Sequence, residues 1–184
     1  MPKKARKRGG KSRKRLITDL YLFKPIRPDT VKEIIEDIIE IRKKSKKIIT
    51  LYISSPGGYV HDGLGLISVM EKNQIIRCVS LGCVASMAVP IFLMGKRGER
   101  YIAENSFIML HPIATDNGGD YISFVKSRLK NTERLEEIYD KIILGRSKIP
   151  KKVYERAKNS ELWLDSKECL KYGLADKLYK GGLK

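Results

Sequence analysis

The sequence predicts an α/β fold built on a mostly parallel sheet, and three observations lead there. β-Branched runs of strand length at residues 48–53 and 75–81 alternate with amphipathic stretches of helical length. The strand ends are punctuated by Gly, Pro and Ser, as in Ser54-Ser55-Pro56-Gly57-Gly58. The chain has 184 residues, 42% of them hydrophobic, which is enough for one sizeable core. Alternating strands and helices imply βαβ units with right-handed crossovers, and in such sheets chemistry sits at the carboxyl ends of the strands.

Taken in order, residues 16–23 have strand composition and Pro25 to Pro28 make a turn. Thr30 and Glu33 have capping-box spacing, which predicts a helix start at Thr30. Val31, Ile34, Ile35, Ile38 and Ile39 follow at helical spacing and mark its buried face. The charged stretch 42–47 reads as solvated surface, and the strand over 48–53 follows it. The next helix runs to about Lys72 with Leu64, Ile67 and Met70 inward. After the strand over 75–81, residues 82–94 read as a turn of small residues running into an apolar helix. Two short strands follow at Arg100–Ala103 and Phe107–Leu110, the second ending at His111. Gly118-Gly119 marks a flexible loop over 115–120, and a long helix is predicted over 121–143. Pro150 opens a further helix, and Trp163-Leu164 is a short extended piece. Asp165 and Glu168 form the capping box of a last helix that stops at Gly173. Residues 177–179 close the chain, and there is no internal repeat, so residues 16–184 are expected to form a single domain.

The formal net charge is +17, and nine positive charges precede the first acid, Asp19. This stretch has Gly9, Gly10 and Ser12 but no apolar periodicity, which predicts a disordered basic arm over 1–15. The arm is a candidate contact for nucleic acid or another polyanion, and equally a solubilising or pore-lining tail. It lacks the apolar segment of a secretory signal, and no apolar run is long enough to span a bilayer. Cys78, Cys83 and Cys169 form no CxxC pair, which suits a reducing compartment. Only His61 and His111 are available as imidazoles, so a His-rich metal site is excluded and no metal is expected.

Three strand ends could carry chemistry. Pro56-Gly57-Gly58 frees backbone N–H groups for a close ligand, though it is also an ordinary turn. Ser86 sits among small residues at a strand-to-helix turn, in the manner of a nucleophile elbow or simply of close helix–sheet packing. His111 ends an apolar strand, where it fits a base or a hydrogen-bonded core residue; His61 reads as surface. Together they suggest more. A serine hydroxyl needs a neighbouring base, and that base needs an acid to hold its tautomer; the chain offers Ser86, His111 and a later carboxylate. The N–H groups of Gly58 and Met87 would complete an oxyanion hole.

Four separated blocks now become recognisable: 51–58 (LYISSPGG), 82–87 (GCVASM), 105–112 (NSFIMLHP) and 172–176 (YGLAD). In this order and at these spacings the chain resembles the proteolytic subunit of the Clp protease, from about Arg15 to Tyr179. The resemblance implies a crotonase-like α/β fold with a protruding long handle helix. It implies a serine endopeptidase with Ser86 as nucleophile, His111 as general base, and Gly58 and Met87 as oxyanion donors. Trp163-Leu164 align with the family's aromatic–Leu pair and place Glu161 where the family has its acid, usually Asp; Asp165 is the alternative. Heptameric rings stacked in pairs, an AAA+ unfoldase that threads unfolded polypeptides, and a cytoplasmic setting are also implied. No cofactor is expected, because ATP would be used by the unfoldase and this chain has no GxxxxGK[ST] loop. Pro112 directly after His111, Ala88 after Ser86-Met87 and the basic arm depart from the family pattern. Glu-x-Trp-Leu and Asp62-Gly63 resemble Clp-related head-maturation peptidases of tailed phages, which would make the chain virus-encoded. The other readings are an inactive ring subunit, an acyl-CoA hydratase or isomerase of the crotonase superfamily, and a nucleic-acid-binding protein.

Overall fold

The computed structural model describes residues 18–73, 75–114 and 121–181, so the basic arm and the Gly118-Gly119 loop lie outside the described residues. It is an α/β structure with a seven-stranded sheet, in which strands β1 to β5 and β7 pair in parallel and only β6 is antiparallel. In chain order these are β1 (Asp19–Leu22), β2 (Ile49–Ser55), β3 (Ile76–Ala85), β4 (Arg100–Ala103), β5 (Phe107–Leu110), β6 (Leu162–Leu164) and β7 (Lys177–Tyr179). The helices are α1 (Pro28–Lys44), α2 (Val60–Lys72), α3 (Ala88–Leu93), α4 (Ile122–Arg146), α5 (Lys151–Tyr154) with a 3-10 turn after it, and α6 (Ser166–Lys171).

The sheet forks at β3. The order β1-β2-β3-β4-β7 uses the first part of β3, where Cys78 to Ser80 pair with β4. Gly82 then takes a left-handed φ of 64°, and Cys83 to Ala85 pair with β5 instead. The sequence reading ended this strand at residue 81 and assigned the small residues beyond it to a turn; the extended backbone resumes after the kink and continues to Ala85. That continuation carries Ser86 to the edge of β5.

Helix α1 also differs from expectation. It starts at Pro28, whose fixed φ suits a first helical position, with Arg27 as an N-cap that makes no side-chain cap bond. Thr30 is therefore inside the helix and buried, and it caps nothing. The inward stripe shifts with it: Ile41 is buried while Ile39 is exposed. The second predicted capping box is present, with Asp165 Oδ1 accepting from the Glu168 N–H at 2.8 Å and Glu168 Oε2 from the Asp165 N–H at 3.1 Å. Pro150 stands one position earlier than expected, as the N-cap of α5.

Helix α3 is apolar on every side and wholly buried, so it forms the centre of the core rather than one wall. Helix α4 is its opposite. Only Tyr139 and Ile143 of its 25 residues are buried, while Ile122, Phe124 and Leu129 in its first half are exposed. Cys78, Cys83 and Cys169 are free thiols, and burial pushes those of Cys78 and Cys169 up to about 12, so they pack as small apolar groups.

One buried charge ties the fold together. Arg100 donates through Nη2 to Asp176 Oδ1 (2.6 Å), through Nε to Asp176 Oδ2 (2.9 Å), and to the carbonyls of Arg146 (2.7 Å) and Gly173 (3.1 Å). Burial raises the Asp176 carboxyl, but the Arg100 guanidinium and the surrounding N–H donors outweigh it and hold the group below its usual range.

Candidate active site

Strand β3 delivers Ser86, and its neighbour β5 delivers His111 one residue beyond Leu110. The Ser86 N–H donates to the Met109 carbonyl at 2.9 Å, which fastens the serine turn to β5. Ser86 has φ 52°, the one positive φ on a non-glycine residue among the described residues. A left-handed serine between strand and helix is held only where its surroundings dictate it, and such strain concentrates at sites of function.

Those surroundings are tight. Gly57, also left-handed at φ 91°, lies so close that a Cβ there would stand 2.6 Å from Ser86 Cβ and 2.9 Å from Met87 N. From the other side Tyr139 of α4 donates its hydroxyl to the Ser86 carbonyl at 3.2 Å. Burial pushes the Tyr139 phenol far up, with the nearby Asp140 charge adding to it, so the hydroxyl stays a donor. Sequence reasoning missed Tyr139, since nothing in the pattern of α4 distinguishes this tyrosine from a core residue. Gly57 was legible only as part of a Pro-Gly-Gly turn.

Gly58, Ser86, Met87, His111 and Tyr139 line one cavity of about 210 Å³. The structure thus brings together four of the residues singled out in the sequence. Among the described residues, the N–H groups of Gly58 and Met87 have no intramolecular acceptor, and Met87 stands just ahead of α3, where N–H groups are left free. The bridge between Ile26 and Gly58 holds the glycine in place, with bonds from the Ile26 N–H to the Gly57 carbonyl (2.7 Å) and from the Tyr59 N–H to the Ile26 carbonyl (3.0 Å).

His111 Nδ1 lies 2.6 Å from the Pro112 carbonyl. A carbonyl only accepts, so this contact calls for the proton on Nδ1, and in the neutral imidazole the lone pair then lies on Nε2. That is the tautomer a general base for a serine requires. His61, by contrast, is exposed at the start of α2 and does not line this cavity.

The third predicted member is placed differently. The antiparallel β5–β6 register pairs Leu110 with Leu162, and one further step sets Glu161 beside His111. Its side chain, however, accepts from Trp163 Nε1 at 2.9 Å, and among the described residues no hydrogen bond joins it to His111. Asp165 is occupied by its cap bond to Glu168. A separate cavity on the His111 side is bordered by Asp140, which accepts from Tyr154 Oη and Lys158 Nζ at 2.6 Å each.

A family profile for Clp protease matches residues 6–181. The chain belongs to the Clp protease family. It is 30% identical over 173 residues to the ATP-dependent Clp protease proteolytic subunit of Streptococcus mutans, covering 89% of this chain and 86% of that protein. The subunit of the same name from Streptococcus uberis is 28% identical over 171 residues, covering 88% and 85%. The Clp resemblance carried by the four sequence blocks, with its α/β class and mostly parallel sheet, is therefore correct. No helix among the described residues is long and apolar enough to cross a membrane.

Proposed function

We propose that this Clp-family chain is a serine endopeptidase that cuts unfolded polypeptides inside a ring of its own copies. One observation carries the reading: a left-handed Ser86 and a His111 whose Nδ1 is held by the Pro112 carbonyl line one cavity with two free backbone N–H groups. His111 Nε2 takes the proton as Ser86 Oγ attacks the scissile carbonyl, and the new oxyanion is received by the N–H groups of Gly58 and Met87. Collapse of the tetrahedral species breaks the C–N bond, with His111 giving its proton to the leaving amine. Water, activated by the same imidazole, then hydrolyses the acyl-serine. Glu161, adjacent to His111 by strand register, is the acid that steadies the imidazolium once it leaves Trp163.

The first half of α4, with Ile122, Phe124 and Leu129 exposed, supports assembly through that helix into paired heptameric rings. An exposed aromatic patch, in which Tyr21 stacks on Tyr52 at 5.4 Å with Phe23 alongside, fits a partner such as an AAA+ unfoldase. ATP would be spent by that partner, this chain using no cofactor, and the cytoplasm is the setting that suits such a machine. The arm over 1–15 would contact a polyanion, nucleic acid included.

A fluorophosphonate probe is expected to label Ser86, and Ser86→Ala to abolish both labelling and peptide cleavage. Cleavage that survives in Ser86→Ala would overturn the mechanism. A second reading, a ring subunit without catalysis, draws on the bond that ties Glu161 to Trp163 rather than to His111. It predicts an assembled particle that never labels.

A further inference from the structure

On β6 and the residue before it, side chains alternate between core and surface. Leu162 and Leu164 are buried, so Glu161 and Trp163 point to the opposite face as neighbours two residues apart. Trp163 is 50% exposed, which is unusual for an indole that fills no core space. Its Nε1–H is spent on the Glu161 carboxylate at 2.9 Å. Across the same two-strand ladder His111 uses the Pro112 carbonyl at 2.6 Å. Two side chains that the register sets side by side are thus each engaged elsewhere.

The two engagements differ in chemistry. The Pro112 carbonyl orients a neutral imidazole but offers only a dipole to a positive one. A carboxylate is worth most when the imidazolium forms, because a charge-assisted hydrogen bond is roughly twice as strong as a neutral one. The indole N–H holds the carboxylate while the imidazole is neutral, and it loses the competition once His111 takes a proton, because only the imidazolium brings an opposite charge as well as a donor.

We propose that Trp163 is a positioning residue for catalysis: its indole N–H holds Glu161 off His111 at rest, and proton transfer from Ser86 draws the carboxylate across. This deepens the serine-peptidase reading and rests on it. The effect is a brake, lifted only during the reaction. Trp163→Phe keeps a ring of similar shape at a half-exposed position and removes only the donor.

Trp163 is the single tryptophan of the chain, so the indole emission comes from this side chain and follows changes at it. Fluorophosphonate labelling of the intact assembled protein should shift that emission as Glu161 departs. In the Glu161→Gln variant the resting emission should already differ from wild type, and labelling should move it little. Trp163→Phe should raise the labelling rate and kcat roughly three- to tenfold, the range of one net hydrogen bond, with KM unchanged. In the Glu161→Gln background the same substitution should have no effect. A labelled wild type whose emission stays fixed, or a Trp163→Phe enzyme no faster than wild type, overturns the brake and leaves the peptidase standing. A wild type that never labels removes the peptidase reading and the brake with it.

Discussion

The serine side of the site and its relay side are built in contrasting ways. Ser86 is gripped from every direction: by the Met109 carbonyl below, by Gly57 pressed against its Cβ, and by the buried Tyr139 hydroxyl on its carbonyl. Glu161 and Trp163 lie on the surface at the edge of the sheet, with one side-chain hydrogen bond between them. The first half is held by several contacts at once, which on the proposed reading would leave little rearrangement for attack. The second half rests on a single surface side-chain bond. On the proposed serine-peptidase reading, rigidity falls where an oxyanion would be met and looser packing where the imidazolium would be answered.

The largest expected effect breaks the rigid half. Gly57→Ala puts a methyl 2.6 Å from Ser86 Cβ on a backbone with φ 91°, so the serine turn must move. Labelling and peptide cleavage should fall by about 10²-fold or more, the usual consequence of ~1 Å misplacement, read as probe-labelling rates on assembled protein. Next comes the looser half. Glu161→Gln should lower kcat by roughly tenfold to 10²-fold, well short of what a misplaced tautomer costs, because the Pro112 carbonyl still fixes the proton on Nδ1. A loss as complete as that of Ser86→Ala would mean the carboxylate, and not Pro112, sets the tautomer.

A smaller effect sharpens the comparison. Tyr139→Phe removes the donor to the Ser86 carbonyl and should cost about 1 kcal/mol of stability with a several-fold slower kcat. Thermal melting and steady-state kinetics on one sample would separate the two losses. The last prediction is a control remote from both halves. The Asp176 carboxyl is depressed in the folded chain, so its contribution to stability is complete above the unfolded value of ~3.9 and is lost as pH falls through the lower folded value. Melting temperature should therefore drop below about pH 4, and Asp176→Asn should flatten that part of the profile.

Much of this was legible in the sequence, and the misses have physical causes. Strands β4 and β5 were readable because short, largely apolar runs between turns have few other ways to be buried. The Asp165 box was readable because its two bonds are local. The Thr30 box failed because Pro28 started the helix earlier, and two competing start signals cannot be ranked by spacing alone. Continuation of β3 past Gly82 was hidden because the exchange of partner from β4 to β5 is a tertiary event. Ser86, His111, Gly58 and Met87 stood out through their places at strand ends, and the fold gathers them around one cavity. Tyr139 did not stand out, since its meaning lies in a carbonyl 53 residues away in the chain.

The Arg100 clamp has a consequence for how such a chain is made. Arg100 is buried with its charge answered by a carboxylate 76 residues further along, and by carbonyls on either side of α5 and α6. A nascent polypeptide that has left the ribosome only as far as α5 holds a guanidinium with no counterion, and burying it then is prohibitively unfavourable. Closure of the sheet at β4 must therefore wait for β7 and for Asp176.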